Sequence, residues 1–351
     1  MEKLKVCVIF GGCSPEHEIS LKSATSVITN LDKEKYELYL LGITKEGGWY
    51  LYSGDAENLE KDGWLADKSK LAKAIISPDK TDKAILLENG EKLYPDIVFP
   101  VLHGENGEDG TVQGLLELAG IKYVGMGVLS SAVSMDKAYT KVVLASAGIP
   151  QADWVIVHRY EMADIERIVA GIENKLGYPC FVKPCNTGSS VGVGKAHNKE
   201  ELISALENAM QFDRKVIVEE FIDGHEVECA LLGNGVPEAS VIGEIIPMVE
   251  FYDFDAKYVD NTTVLEIPAK LPVETSDKIK ELAKKAFVAL DGSGLTRADF
   301  FVKHMDGSIV LNEVNTMPGF TNISMYPKLW QAEGKSYSGL LDELIELGLN
   351  K

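Results

Sequence analysis

The chain has 351 residues, 45% of them hydrophobic, and a formal net charge of -19 at pH 7. That length can bury a large core and calls for about two or three domains. The acidic balance disfavours nucleic acid or an anionic membrane over most of the surface, while leaving room for a local basic cleft.

Lys5 to Phe10, KVCVIF, predicts a buried strand that passes straight into Gly11 and Gly12. Ser14, Pro15, Glu16, His17 and Glu18 then lead into a helix predicted over 19–28. A nucleotide-binding α/β unit opens in this way, although the third glycine of the dinucleotide fingerprint is missing. Glu16 falls at the helix start, where a carboxylate is favourable, so a structural charge and a ligand contact fit it equally. The apolar run is too short for a secretory leader, and no stretch is long enough to span a membrane, so a cytoplasmic location is expected. Strands are predicted at 36–43 and 97–102, with loops and a short helix at 68–76 between them. The second strand ends in HGENGEDG, residues 103–110, where glycines and charge at a strand's carboxyl end suit a ligand-facing loop. A helix at 112–118 and a strand at 121–124 complete a first α/β domain, expected to span 1–130.

A helix predicted over 134–147 carries Lys137 and Lys141 on one face, a pair that belongs on the surface and repels unless an anion lies between. A helix at 165–176 and a strand at 178–183 lead into PCNTGSSVGVG, residues 184–194. Its Gly, Ser and Thr offer N–H groups and hydroxyls to an anion. It is not a Walker A loop, because its lysine, Lys183, precedes it; alone it reads equally as a mobile polar loop. Strands at 216–220 and 226–232 bracket Phe221 and Ile222, so Glu219, Glu220 and Glu226 fit ribose hydroxyls or open water alike. The aromatic and charged EFYDFDAKY, 250–258, has no clear period and is a candidate lid. Helices follow at 276–290 and 337–347, the latter with Ser336 as its cap and Gly348 as its stop. The five cysteines, Cys7, Cys13, Cys180, Cys185 and Cys229, form no CxxC pair, so neither a disulfide framework nor a cysteine metal site is expected.

Residues 295–324, LTRADFFVKHMDGSIVLNEVNTMPGFTNIS, predict two strands joined by a turn at Met305-Asp306-Gly307. Alternation puts Arg297 and Asp299 on one face, and Glu313 and Asn315 on one face of the next strand. Folding at the turn would set these faces close to opposite. One cation, two carboxylates and an amide oxygen then suit magnesium held against nucleotide phosphates, as well as a solvated hairpin face with ion pairs. With Lys137 and Lys183 beside a Gly/Ser loop, the combination points to a bound triphosphate and phosphoryl transfer by positioning and charge neutralisation.

Six segments, in order, resemble the D-alanine–D-alanine ligases of the ATP-grasp superfamily: IFGGCSPEHEISL (9–21), VFPVLHGENGEDGTVQG (98–114), MDK (135–137), FVKPCNTGSSVGV (181–193), FYDFDAKY (251–258) and RADFFV through NEVNTMPGFTNISMYP (297–327). The resemblance implies a mixed α/β ATP-grasp fold behind an N-terminal Rossmann-like domain, with a central lid domain at 131–235 and a catalytic domain at 236–351. It also implies an activity: ATP phosphorylates the carboxylate of one D-alanine, and the amine of a second D-alanine displaces phosphate to form the dipeptide used in peptidoglycan synthesis. ATP and two Mg2+ or Mn2+ ions are the implied cofactors, and a homodimer the implied assembly.

Roles follow from matched positions. Asp299, Glu313 and Asn315 resemble the metal ligands. Lys137 and Lys183 resemble the phosphate-contacting lysines, Ser189 and Ser190 the phosphate loop, and Lys257 the lid lysine that reaches the γ-phosphate. Glu219, Glu220 and Glu226 lie where the family holds adenosine, with Glu226 on the ribose and the backbone at Phe221 and Ile222 on the adenine edge. Glu16, with His103 nearby, resembles the anchor of the first ammonium; with Ser189 and Tyr258 it resembles a hydrogen-bonded trio that closes the lid. Arg297 and the backbone of Gly319 resemble an oxyanion hole, and Ser324 and Met325 the site of the second D-alanine. The methyl of D-alanine suits Met325 better than the hydroxymethyl of D-serine, and Tyr258 with Lys257 fits an amino-acid rather than a hydroxy-acid acceptor. Glu220 and Asn186-Thr187 depart from residues found in several relatives. A non-catalytic nucleotide-binding module and a Rossmann oxidoreductase are the rival classes.

Overall fold

The computed structural model describes residues 2–246 and 264–351, apart from the side chain of Lys61; Lys257, Tyr258 and the rest of the candidate lid lie outside the described residues. The first unit is built from β1 (Leu4–Gly11), α1 (His17–Asn30), β2 (Tyr36–Ile43), β3 (Trp49–Tyr52), β4 (Leu71–Ile76), β5 (Ile85–Leu87), β6 (Lys92–Leu93), β7 (Ile97–Pro100), α2 (Thr111–Ala119) and β8 (Lys122–Tyr123). Its strands form one sheet in the order β6-β5-β4-β3-β2-β1-β7-β8. The run from β2 to β8 through β1 and β7 is parallel. The unbroken apolar character of β1 follows from burial on both faces. Val6, Val8 and Phe10 enter one core and Cys7 and Ile9 the other. The helix predicted at 68–76 is instead a single turn, Lys68–Lys70, followed by β4. Pairing with β3 and β5 overrides the helical leaning of LAKAII, with Ala74 and Ile76 buried and Ile75 exposed.

The second unit contains α3 (Val128–Met135), α4 (Lys137–Ser146), β9 (Trp154–His158), α5 (Ile165–Lys175), β10 (Cys180–Pro184), β11 (Gly194–Ala196), α6 (Lys199–Phe212) and β12 (Lys215–Glu220). Its antiparallel sheet runs β11-β10-β12-β9. The single helix expected over 134–147 is broken at Asp136, which is extended and caps α4 by accepting the N–H groups of Ala138 and Tyr139. Lys215 Nζ, 2.5 Å from Asp136 Oδ2, neutralises this buried carboxylate.

The third unit contains β13 (Gly224–Asn234), β14 (Glu238–Ile246), β15 (Val264–Glu266), α7 (Val273–Ala289), β16 (Ser293–Lys303), β17 (Ile309–Asn315), α8 (Met325–Ala332) and α9 (Tyr337–Leu349). Its antiparallel sheet runs β15-β14-β13-β16-β17. The boundary expected at 235/236 falls inside the β13–β14 hairpin, because spacing along the chain does not say which strands pair; this sheet starts at Gly224. Ser336 caps α9 through Gly339 N–H at 3.0 Å. Gly348 does not stop that helix. It lies inside it, where a Cβ would come 2.7 Å from Ile97 Cδ1 and 2.9 Å from the carbonyl oxygen of Tyr123. One core joins this unit to the first, with Val6, Val8 and Phe99 packed among residues that include Ala230, Tyr326 and Leu344. All five cysteines are free, Cys13 alone being exposed. Among the described residues no helix is long and apolar enough to cross a membrane.

Candidate active site

A cleft of about 1140 Å³ lies among the three sheets. Its position has a topological cause. Parallel strand order reverses between β1 and β7, and ligands enter α/β sheets at the carboxyl ends of strands beside such a switch. The loop after β1 brings Glu16 there, and the loop after β7 brings His103 to Glu108. Ser14 ties the two loops together by donating to the carbonyl of His103 at 2.6 Å and accepting the N–H of Glu16 at 3.1 Å.

Glu16 is 7% exposed and accepts a hydrogen bond from Ser189 Oγ, which belongs to the Gly/Ser loop of the second unit. Two glycines make room for this carboxylate. A Cβ on Gly104 would meet Glu16 Oε2 at 2.4 Å, and one on Gly188 at 2.5 Å. Ser189 and Ser190 both adopt left-handed backbone, φ 48° and 60°, a cost for non-glycine residues that clusters at functional sites.

His103 does not point a ring nitrogen at open solvent. Its Nδ1 lies 3.0 Å from the carbonyl oxygen of Met317, which can only accept, so Nδ1 carries the proton. Nε2 lies 3.0 Å from Ser23 Oγ and accepts from it. Ser23 in turn accepts the N–H of Phe320 at 3.2 Å. Burial lowers the His103 pKa to about 4, so the ring is neutral at pH 7. The histidine thus fastens the first unit to the 317–320 loop.

The predicted hairpin is present, and its register pairs Arg297 with Asn315 and Asp299 with Glu313. Arg297 grips Asp299 with a fork, Nε to Oδ1 at 2.8 Å and Nη2 to Oδ2 at 2.7 Å. Asn315 Nδ2 donates to Asp299 Oδ2 at 2.9 Å, which turns its amide oxygen the other way. Burial opposes the Arg297 charge, but Asp299 and Glu228 overcome it and hold the guanidinium well above its usual range. Glu313 is half-buried and lines the same cleft. Among the described residues no group of three or more His, Cys, Asp and Glu side chains makes a metal cluster; the oxygen donors here are two carboxylates and an amide.

Elsewhere in the cleft, Lys137 Nζ donates to the carbonyl of Thr187 at 2.6 Å. Lys183 Nζ lies 2.6 Å from Glu219 Oε2. Burial disfavours the Lys183 charge, but Glu219 and neighbouring carboxylates raise its pKa. Glu219 is 4% exposed; burial works against its charge, yet Lys183 and Lys141 bring its pKa down to about 2. Glu220 instead turns to the edge of β9, accepting the N–H of Asp153 at 3.0 Å. The Phe221 N–H is donated to the carbonyl of Pro179 at 3.3 Å, while its ring sits 6.2 Å from that of Phe181 with Lys195 Nζ 4.6 Å above. Ile222 is buried against Ala152 and Val310, and Glu226 is half-buried on the cleft wall. Ser324 precedes α8 and accepts the N–H of Thr321 at 3.0 Å. Gly319 faces it so closely that a Cβ would lie 2.7 Å from Ser324 Oγ, and Met325 is 5% exposed.

The sequence does not mark out three residues individually, although Glu108 falls in the ligand-facing loop at 103–110 and Lys141 lies behind the cleft wall rather than in it. Glu228 is 3% exposed, with Oε2 3.0 Å from Arg297 Nε; its place two residues after Glu226 on one strand was the available signal. Glu108 accepts the N–H groups of Gly104 at 2.8 Å and Met317 at 3.1 Å. Desolvation and the nearby Glu16 charge raise its pKa to about 8. Lys141, expected on the surface beside Lys137, is 3% exposed and pairs with Glu219.

Comparison with known proteins bears on this arrangement. A family model described as the D-ala D-ala ligase N-terminus matches residues 5–126, and one described as the D-ala D-ala ligase C-terminus matches 143–346. The D-alanine--D-alanine ligase of Thermoanaerobacter pseudethanolicus is 55% identical over 99% of this chain and 97% of its own. That of Acetivibrio thermocellus is 52% identical over 100% and 97%. Among solved structures, the VanG D-Ala:D-Ser ligase from Enterococcus faecalis has a TM-score of 0.91 at 41% identity, over 99% of this chain and all of that one. The D-alanine-D-alanine ligase from Coxiella burnetii has a TM-score of 0.86 at 37% identity, over 100% and 95%.

Proposed function

The chain belongs to the D-alanine–D-alanine ligase family, and from that premise we propose that it joins two D-alanines at the expense of ATP, in the cytoplasm, for peptidoglycan precursor synthesis. The observation that carries the reading is the β16–β17 register, which gathers Arg297, Asp299, Glu313 and Asn315 in one cleft that Lys137 and Lys183 also line. Hard oxygen donors beside an arginine, with lysines and a Gly/Ser loop, match what phosphoryl transfer to a carboxylate requires.

Asp299, Glu313 and Asn315 fit a divalent metal by their donor chemistry; when bound there, one or two Mg2+ or Mn2+ ions would screen the phosphates from the carboxylates. Lys137, Lys183 and the N–H groups around Ser189 and Ser190 hold the phosphates, and Lys257 reaches the transferring group. Glu226 takes the ribose, with Glu219, Glu220, Phe221 and Ile222 around the base. Glu16 fixes the ammonium of the first D-alanine, and its bond to Ser189 couples that event to the phosphate loop; Tyr258 completes the trio. His103, neutral and engaged at both nitrogens, keeps the 317–320 loop in place. A carboxylate oxygen of the first D-alanine takes the γ-phosphoryl group of ATP as an acyl phosphate, and ADP leaves as the β,γ-anhydride bond breaks. The amine of the second, oriented through Ser324 and Met325, attacks its carbonyl carbon. Arg297 and the Gly319 N–H take the oxygen charge of the tetrahedral adduct, which collapses with loss of phosphate. The domain division that fits this scheme keeps the N-terminal unit to about 130, the lid unit to about 222 and the catalytic unit beyond. A homodimer is part of the same proposal.

The likeness to the VanG D-Ala:D-Ser ligase favours one second reading, D-serine as the acceptor. Product identification with ATP, Mg2+ and equal D-alanine, D-serine and D-lactate separates the two. D-alanyl-D-alanine should dominate at neutral pH; a dominant mixed product overturns the assignment of the second substrate, and no phosphate release overturns the ligase reading. Sedimentation velocity checks the dimer.

A further inference from the structure

Lys141 lies behind the cleft wall, not in it. Its side chain is 3% exposed, and Nζ sits 2.5 Å from Glu219 Oε1. The other oxygen of the same carboxylate is held by Lys183, which lines the cleft. One buried anion therefore has two cations, one facing ligand and one sealed off. Gln151 Nε2 donates to the Lys141 carbonyl at 3.0 Å and pins this turn of α4 to the segment leading into β9. The arrangement has a consequence for ligand binding. Were Lys183 the sole partner of Glu219, moving it toward a phosphate would strand a buried carboxylate, a strongly unfavourable step. With Lys141 in place, Glu219 keeps a full counter-charge whichever way Lys183 turns.

We propose that Lys141 is a positioning residue for nucleotide: a standing counter-ion that keeps Glu219 neutralised and so frees Lys183 to engage phosphate. This rests on the reading that the cleft binds ATP. The carboxylates that also draw on Lys183 from the cleft side are Glu313 and Glu226. Lys141 has no such competition, since among the described residues its ion pair is with Glu219 alone.

The test is calorimetric binding of adenosine and of a non-hydrolysable ATP analogue to the full-length protein and to Lys141→Met, Lys141→Arg, Glu219→Gln and the double variant Lys141→Met/Glu219→Gln. Lys141→Met should weaken the analogue by at least about tenfold while changing adenosine by less than about threefold, because the loss acts through Lys183 and the phosphates. Lys141→Arg should restore most of it. In the Glu219→Gln background the Lys141→Met effect should shrink below about threefold, as a neutral amide at that position no longer holds Lys183. Lys141→Gln, uncharged but able to hydrogen-bond Glu219, answers the same question should Lys141→Met fail to fold. Equal losses for adenosine and analogue, no loss in either, or a loss that persists undiminished in the Glu219→Gln background overturns the proposal. Failure of the unmodified protein to bind the analogue overturns the nucleotide reading itself.

Discussion

Replacing Arg297 with methionine should destabilise the protein by an amount that a second substitution partly recovers. Glu228 and Asp299 are paired in register across β13 and β16, at 3% and 2% exposure, and Arg297 touches both. Removing the guanidinium leaves two buried carboxylates facing each other. Side chains directly across a strand pair sit roughly 5 Å apart. At an effective dielectric of about 20, that repulsion is about 3 kcal/mol, in line with the loss expected for a broken buried pair. Urea denaturation in EDTA, without nucleotide, measures it. Glu228→Gln supplies the sharper readout. In the unmodified protein it should be destabilising, because Arg297 loses a partner. In the Arg297→Met background it should be stabilising, because one of two like charges is gone. The same sign in both backgrounds would refute the charge argument and leave Arg297→Met as a packing effect. Phosphate release by Arg297→Met should fall by about 10² or more, as for loss of an oxyanion donor.

Glu108 holds a proton in the folded chain, with its pKa raised to about 8, that the unfolded chain gives up at ordinary carboxyl pH. Its contribution is therefore present below about pH 4.5 and lost as pH rises toward 8. Glu108→Gln should flatten the fall of melting temperature across that window; an unchanged slope rejects it. Glu313→Ala should abolish metal-dependent phosphate release while leaving the urea midpoint nearly unchanged, since Glu313 is only half-buried; unfolding would assign it to structure. Gly348→Ala should destabilise by about 1–3 kcal/mol, because its Cβ would press on Ile97 and the Tyr123 carbonyl. A neutral result there would mean that α9 slides at little cost.

Where sequence pattern and burial obey the same period, the fold was legible. Strand β2 spans the predicted 36–43, and the hairpin emerged with Arg297, Asp299, Glu313 and Asn315 in facing positions. The hairpin faces depend on local alternation and β2 on a continuous apolar run, and each segment carries its own signal within itself. The departures share a different cause. LAKAII became a strand through its neighbours β3 and β5, and Gly348 is a glycine inside α9, not its stop, because β7 and β8 leave no room for a Cβ there. Neither neighbour can be read from the segment concerned.

Charged residues show the same limit most clearly, because periodicity places a side chain on a face without saying what covers that face. Lys137 and Lys141 share one side of α4, and the expectation that both are solvated follows from typical behaviour of lysine. One carboxylate reverses it for Lys141. Glu219 arrives on β12, far along the chain, and brings to the buried position the charge that makes a buried lysine tolerable. Glu228 does the same for Arg297. Functional sites concentrate charges whose burial is tolerable only in combination, so each member looks like a surface residue when read alone. A pair such as Lys141 and Glu219 becomes visible only once β12 is laid against α4, and the binding cycle on those two positions tests whether that pairing was selected for the nucleotide or for the fold.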